Sequence, residues 1–78
     1  MKDLIDFIAR SLVDAPTEVF VIQERRGSQI VLKLRVAKED MGRVIGKNGR
    51  IANSMRILLR VAAAQEGKRA ILDIIEPL

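Results

Sequence analysis

Val44-Ile45-Gly46-Lys47-Asn48-Gly49-Arg50 interrupts a run that reads as helix on both sides. Two glycines three apart make a tight turn whose backbone can approach another chain closely. A helix that restarts after Gly49 presents free backbone N–H groups and its positive dipole end to whatever lies over the turn. Lys47 adds a mobile charge there, and Arg50 adds a forked donor suited to phosphate. Asn48 completes the turn. The stretch therefore predicts a helix-turn-helix element shaped to hold a phosphate backbone.

Spacing separates this reading from other phosphate loops. A nucleotide-binding P-loop needs four residues between its glycines and a Ser or Thr after the Lys. Here Gly42 and Gly46 enclose three, and Asn48 follows Lys47. A dinucleotide fingerprint follows a strand, whereas this turn follows a helix. Nucleotide hydrolysis is not expected.

Outward from the turn, residues 38–45 read as a short helix with Glu39 and Asp40 in its first turn. Residues 50–65 read as the longest helix, with Ile51, Met55, Leu58, Leu59 and Ala62 as its core face. Ile57, Val61 and Ala64 form a second apolar stripe, read as a dimer or partner surface or as a buried edge. Gly67 is a candidate C-cap. Residues 69–75 read as a strand closed by Pro77.

Upstream, residues 29–36 alternate, with Ile30, Leu32, Leu34 and Val36 on one side and Lys33 and Arg35 on the other. Residues 18–24 hold the β-branched and aromatic run Val19-Phe20-Val21-Ile22. Arg26-Gly27-Ser28 joins the two strands as a hairpin. Residues 3–14 read as a helix with apolar Leu4, Ile5, Ile8, Ala9, Leu12 and Val13, stopped by Ala15-Pro16. The order is α-β-β-α-α-β. It predicts an α+β domain, residues 1–78, with a three-stranded mixed sheet and three helices packed on one face.

Composition narrows the function. The 78 residues allow one domain, and 49% are apolar, enough for a core without staples. The chain has no Cys and no His, so the usual nucleophilic thiol, general base and soft metal ligands are missing. No enzyme activity, metal or cofactor is expected. No signal peptide and no membrane span is visible, and a cytoplasmic protein is expected. The net charge is +4 and the pI about 10.1. From Arg25 to Arg60 ten basic residues face only Glu39 and Asp40, a balance of +8. Such concentration suits a phosphate-binding surface. Of the two Phe, Phe7 and Phe20, both are expected to pack, so stacking platforms of the RRM or OB kind are absent.

The segment Val44 to Gly49 is similar to the KH signature, a Val/Ile-Ile-Gly-x-x-Gly loop between two helices. The whole order resembles the type II KH arrangement, and the chain resembles the small bacterial single-KH proteins of the KhpA-type family. That resemblance implies cytoplasmic, single-stranded RNA binding. It also implies self-association, or pairing with a larger KH-containing partner of the KhpB type, and an RNA chaperone or post-transcriptional role linked to cell elongation and division. Carried onto this chain, it places Gly46, Lys47, Asn48, Gly49 and Arg50 at the backbone grip. Arg43 and Arg56 support the field, and Ile45 and Ile51 wall the groove. Two other readings stand beside it: a protein-interaction adaptor without RNA binding, and a single-stranded DNA binder. Phosphate contacts do not distinguish sugars.

Overall fold

The computed structural model describes residues 1–75, apart from the side chain of Lys47; Pro77 and its expected role lie outside those residues. The elements are α1 (Lys2–Leu12), β1 (Phe20–Arg26), β2 (Gln29–Arg35), α2 (Met41–Gln65) and β3 (Arg69–Ile75). Short 3₁₀ turns, Pro16–Glu18 and Lys38–Asp40, lead into β1 and α2. The sheet order is β1-β2-β3, with β1 antiparallel and β3 parallel to β2. This is the mixed sheet expected of the type II KH arrangement.

β2 is central because its alternation supplies the floor of the core. Ile30, Leu32, Leu34 and Val36 are all buried on one face. Ile5 and Ala9 of α1, and Val44, Met55 and Leu59 of α2, pack onto that face with Val21 and Leu72. Burying each large aliphatic side chain contributes roughly 1.5–3 kcal/mol. The helices therefore cover one side of the sheet and leave the other open.

α2 is not one continuous rod. Its backbone enters the left-handed region at Asn48 (φ 60°) and Gly49 (φ 85°). Two consecutive left-handed residues cannot continue a right-handed helix. They divide α2 into a first arm, residues 41–47, and a second arm, residues 50–65. With α1 these make the three expected helices. The first arm starts later than residue 38, because Lys38–Asp40 adopts 3₁₀ geometry.

Three expectations are corrected. Leu58, expected in the core, is 49% exposed, while Ala52, Met55, Leu59 and Ala63 are buried. The second arm is thus turned so that two alanines meet the layer beneath, allowing a close approach. Phe7 and Phe20, expected to pack, are 71% and 46% exposed. Phe7 lies on the solvent side of α1, and Phe20 lies on the open sheet face under the Arg35 guanidinium, 4.9 Å from its ring centre. The first helix ends at Leu12 and not at Asp14, with Val13 already extended. The reason is Asp40. Its buried carboxylate accepts the backbone N–H groups of Asp14 and Ala15, both at 3.1 Å, and so draws that segment away from the helix.

Candidate nucleic-acid interface

The break in α2 gathers the glycine turn as expected. Gly49 has φ 85°, a conformation that costs side-chain-bearing residues roughly 1–2 kcal/mol. Asn48, also left-handed, is one of the few residue types that tolerates that region. Gly46 serves a different need. A Cβ there would sit 3.0 Å from the Ile51 Cδ1, so its bare backbone lets the end of Ile51 fold across the break. Ile51 packs at the edge of the core, and Ile45 is 43% exposed on the first arm. The two isoleucines flank the turn, as a groove wall would.

The second arm begins at Arg50, directly after the two left-handed residues. The opening amides of a helical arm that starts after such a break are the kind of donors an anion can meet. Arg50 is exposed and makes no ion pair among the described residues. The backbone of Lys47 lies in the turn; its side chain lies outside the described residues.

The other expected cations are differently occupied. Arg43 donates to Asp14 Oδ2 at 2.8 Å and lies 3.6 Å from Asp40 Oδ1, so its charge is largely answered at the start of α2. Arg56 donates to the Leu72 carbonyl at 3.3 Å and to Asn53 Oδ1 at 3.1 Å. It fastens the second arm to β3. Elsewhere, Lys33 and Arg26 both pair with Glu24. Among residues 25–60, Arg25, Arg35, Lys38, Arg50, Arg56 and Arg60 make no ion pair with a described residue, and the last three follow one another along the second arm.

Nothing in the sequence marks Asp40 as an anchoring residue. It looks like an ordinary acid in a first helical turn, and its partners lie about 25 residues away. Ile57, Val61 and Ala64 are exposed along one side of the second arm, with Leu58 beside them. The structure therefore removes the buried-edge reading of that stripe.

Comparison with known proteins agrees with this architecture. The chain is similar over 75 residues to RNA-binding protein KhpA of Clostridium acetobutylicum, at 51% identity, covering 96% of this chain and 100% of that protein. RNA-binding protein KhpA of Clostridium perfringens is 47% identical with the same coverage. RNA-binding protein KhpA of Treponema pallidum is 48% identical, covering 96% of this chain and 94% of that protein. Among solved structures, the fold resembles part of Era from Aquifex aeolicus, with a TM-score of 0.65 and 17% identity. That match covers 96% of this chain but 29% of the Era chain, and it speaks to fold alone. The family model for the KhpA/KhpB KH domain matches residues 2–74, and the chain belongs to that family.

Proposed function

We propose that this protein binds single-stranded RNA without catalysing a reaction, and that it grips the RNA backbone at the turn Gly46-Lys47-Asn48-Gly49. The observation that carries the reading is the paired left-handed geometry of Asn48 and Gly49 at the head of a basic helical arm. Phosphate would rest against the opening amides of that arm, with Lys47 and Arg50 supplying charge. Ile45 and Ile51 would flank the first bases, and Arg56 would hold the far wall in place through Leu72. A KH loop of this kind clamps about four nucleotides. The RNA-binding name of the relatives supports the choice of RNA over DNA.

The second reading is that the protein works as a pair. One groove offers few contacts, and a second groove at high effective concentration raises affinity without new chemistry. The exposed stripe of Ile57, Leu58, Val61 and Ala64 is the surface that suits a second copy, or a larger KH-containing partner of the KhpB type. Family membership supports a cytoplasmic RNA chaperone or post-transcriptional regulator tied to cell elongation and division.

The test is the double variant Lys47→Asp with Asn48→Asp. Asp tolerates left-handed geometry, so the turn is retained while like charge faces phosphate. Affinity for RNA should fall at least tenfold, about 1.4 kcal/mol. Unchanged affinity in a gel shift, with an unchanged circular dichroism spectrum, removes the turn as the binding element and favours the adaptor reading. Equal affinity of the unaltered protein for DNA of the same sequence favours the DNA reading.

A further inference from the structure

The chain has two asparagines, Asn48 and Asn53, and the fold treats them differently. Asn53 lies inside the second arm, where its Oδ1 accepts a hydrogen bond from Arg56 at 3.1 Å. Asn48 is exposed in the turn with φ 60°. Its side-chain amide makes no hydrogen bond among the described residues. Ser54 follows Asn53, whereas Gly49 follows Asn48. Gly49 has φ 85° and open surroundings: a Cβ there would meet nothing nearer than Asn53 Nδ2 at 3.9 Å.

An asparagine followed by glycine can react with its own backbone. The Gly49 nitrogen is one residue from the side-chain carbonyl carbon of Asn48, and a bond between them closes a five-membered ring. With no side chain at Gly49, the backbone turns freely into the geometry that closure needs. The nitrogen attacks after its proton passes to solvent. Arg50 is the next residue, exposed and without an ion pair among the described residues. The positive end of the second arm lies at the same point. Both favour the negative charge that the attack places on this nitrogen and then on the carbonyl oxygen. Asn53 lacks these aids: the helix fixes its backbone, Arg56 holds its side chain, and Ser54 crowds the approach.

We propose that Asn48 is a site of spontaneous self-modification that disarms the turn, and that bound RNA protects it. The bond from the Gly49 nitrogen to the Asn48 side-chain carbon forms, and the bond from that carbon to the amide nitrogen breaks. The nitrogen takes up a proton from solvent and leaves as ammonia, and a succinimide remains. Water then opens the ring at either carbonyl, to aspartate or to isoaspartate, whose main chain carries one additional methylene. Either product sets a carboxylate where a neutral amide stood. The helix dipole favours an acid at the head of the second arm, and that acid competes with phosphate for the same donors. The isoaspartate link also lengthens the chain within the turn and displaces Gly49 relative to Arg50. A strand seated across the turn holds the Asn48 backbone and keeps the ring from closing. The inference rests on the turn being the RNA grip.

The full chain is incubated at mildly alkaline pH and physiological temperature, with and without saturating oligouridylate. Cleavage after Glu39 and Glu66 releases residues 40–66, which hold both asparagines. Tandem mass spectrometry follows each site, methylation by isoaspartyl methyltransferase reports isoaspartate, and fluorescence anisotropy reads RNA affinity. Asn48 should convert over days while Asn53 stays an amide, and oligouridylate should slow the conversion several-fold. The aspartate form, separated by ion exchange, should bind about threefold more weakly and the isoaspartate form about tenfold. The Asn48→Asp variant should match the aspartate form, and Asn48→Gly should hold its starting affinity throughout the incubation. An Asn48 that stays an amide, or that converts no faster than Asn53, overturns the inference and leaves the turn reading standing. An equal rate with and without oligouridylate overturns the protection by RNA. Conversion with no loss of affinity in either product removes the turn reading, and this inference with it.

Discussion

Asp40 shows how a single side chain can position a site it never touches. Its carboxylate bonds to two amides of the segment after α1 and sits beside Arg43, so that connector and the first arm of α2 meet on one buried group. Asp40→Asn keeps the shape but replaces one acceptor with a donor aimed at an N–H. Stability should fall by about 1–3 kcal/mol in urea unfolding, with the slope of the transition unchanged. The two amides and Asp40 are far apart in the chain, so no local pattern announces the contact. The glycine turn is the reverse case, since Gly46 and Gly49 were legible from seven consecutive residues. Glu24 offers a test of charge at the same scale. Its carboxyl is held below the ordinary value of 4.5, first by the hydrogen bond from Lys33 and then by that ion's charge, with Arg26 adding to both. A depressed folded value means the bridge stabilises fully above about pH 4.5 and fades as pH falls through the lower folded value. An NMR titration of the Glu24 carboxyl should show the depression, and Lys33→Ala should remove most of it.

Among the elements, the second arm of α2 carries three tasks on three sides. Ala52, Met55, Leu59 and Ala63 fill the core, Arg56 holds β3, and Ile57, Leu58 and Val61 face solvent. The helix was plain in the sequence, but its rotation was not, because apolar residues occupy most of its circumference. Leu58 and Leu59 look alike on paper; only the layer beneath decides that Leu59 goes in. The exposed stripe predicts a self-complementary two-fold contact. It is small beside the ~800 Å² per partner of a standard interface, so the pair should be weak. Val61→Asp should keep the circular dichroism spectrum, because Val61 is 54% exposed. It should shift sedimentation at high micromolar concentration from dimer to monomer. A monomeric unaltered protein under those conditions would leave only a different partner for the stripe.

For the molecule as a whole, the α-β-β-α-α-β order, the alternation of β2 and the parallel return of β3 all followed from periodicity and connection rules. The distribution of usable charge did not follow. Lys33, Arg26 and Arg43 count as basic in a tally of residues 25–60, yet each is paired in the fold. Lys68 and Arg69 fall outside that tally, yet they stand open beside Arg60. Tertiary pairing redistributes charge in a way that counting along the chain does not show.

β3 lies at the edge of the sheet, and the bond from Arg56 to the Leu72 carbonyl has a bearing on solubility. Ala70-Ile71-Leu72-Asp73-Ile74-Ile75 is short, β-prone and mostly apolar, the kind of edge that recruits strands from neighbouring molecules. Arg56 occupies one of its acceptors, and Asp73 sets a charge in the middle of the run. Together they act as gatekeepers against edge-to-edge polymerisation. Arg56→Ala combined with Asp73→Val should leave the fold near ambient temperature intact. On repeated heating and cooling, light scattering should rise well beyond that of the unaltered protein, with fibrils that bind thioflavin T.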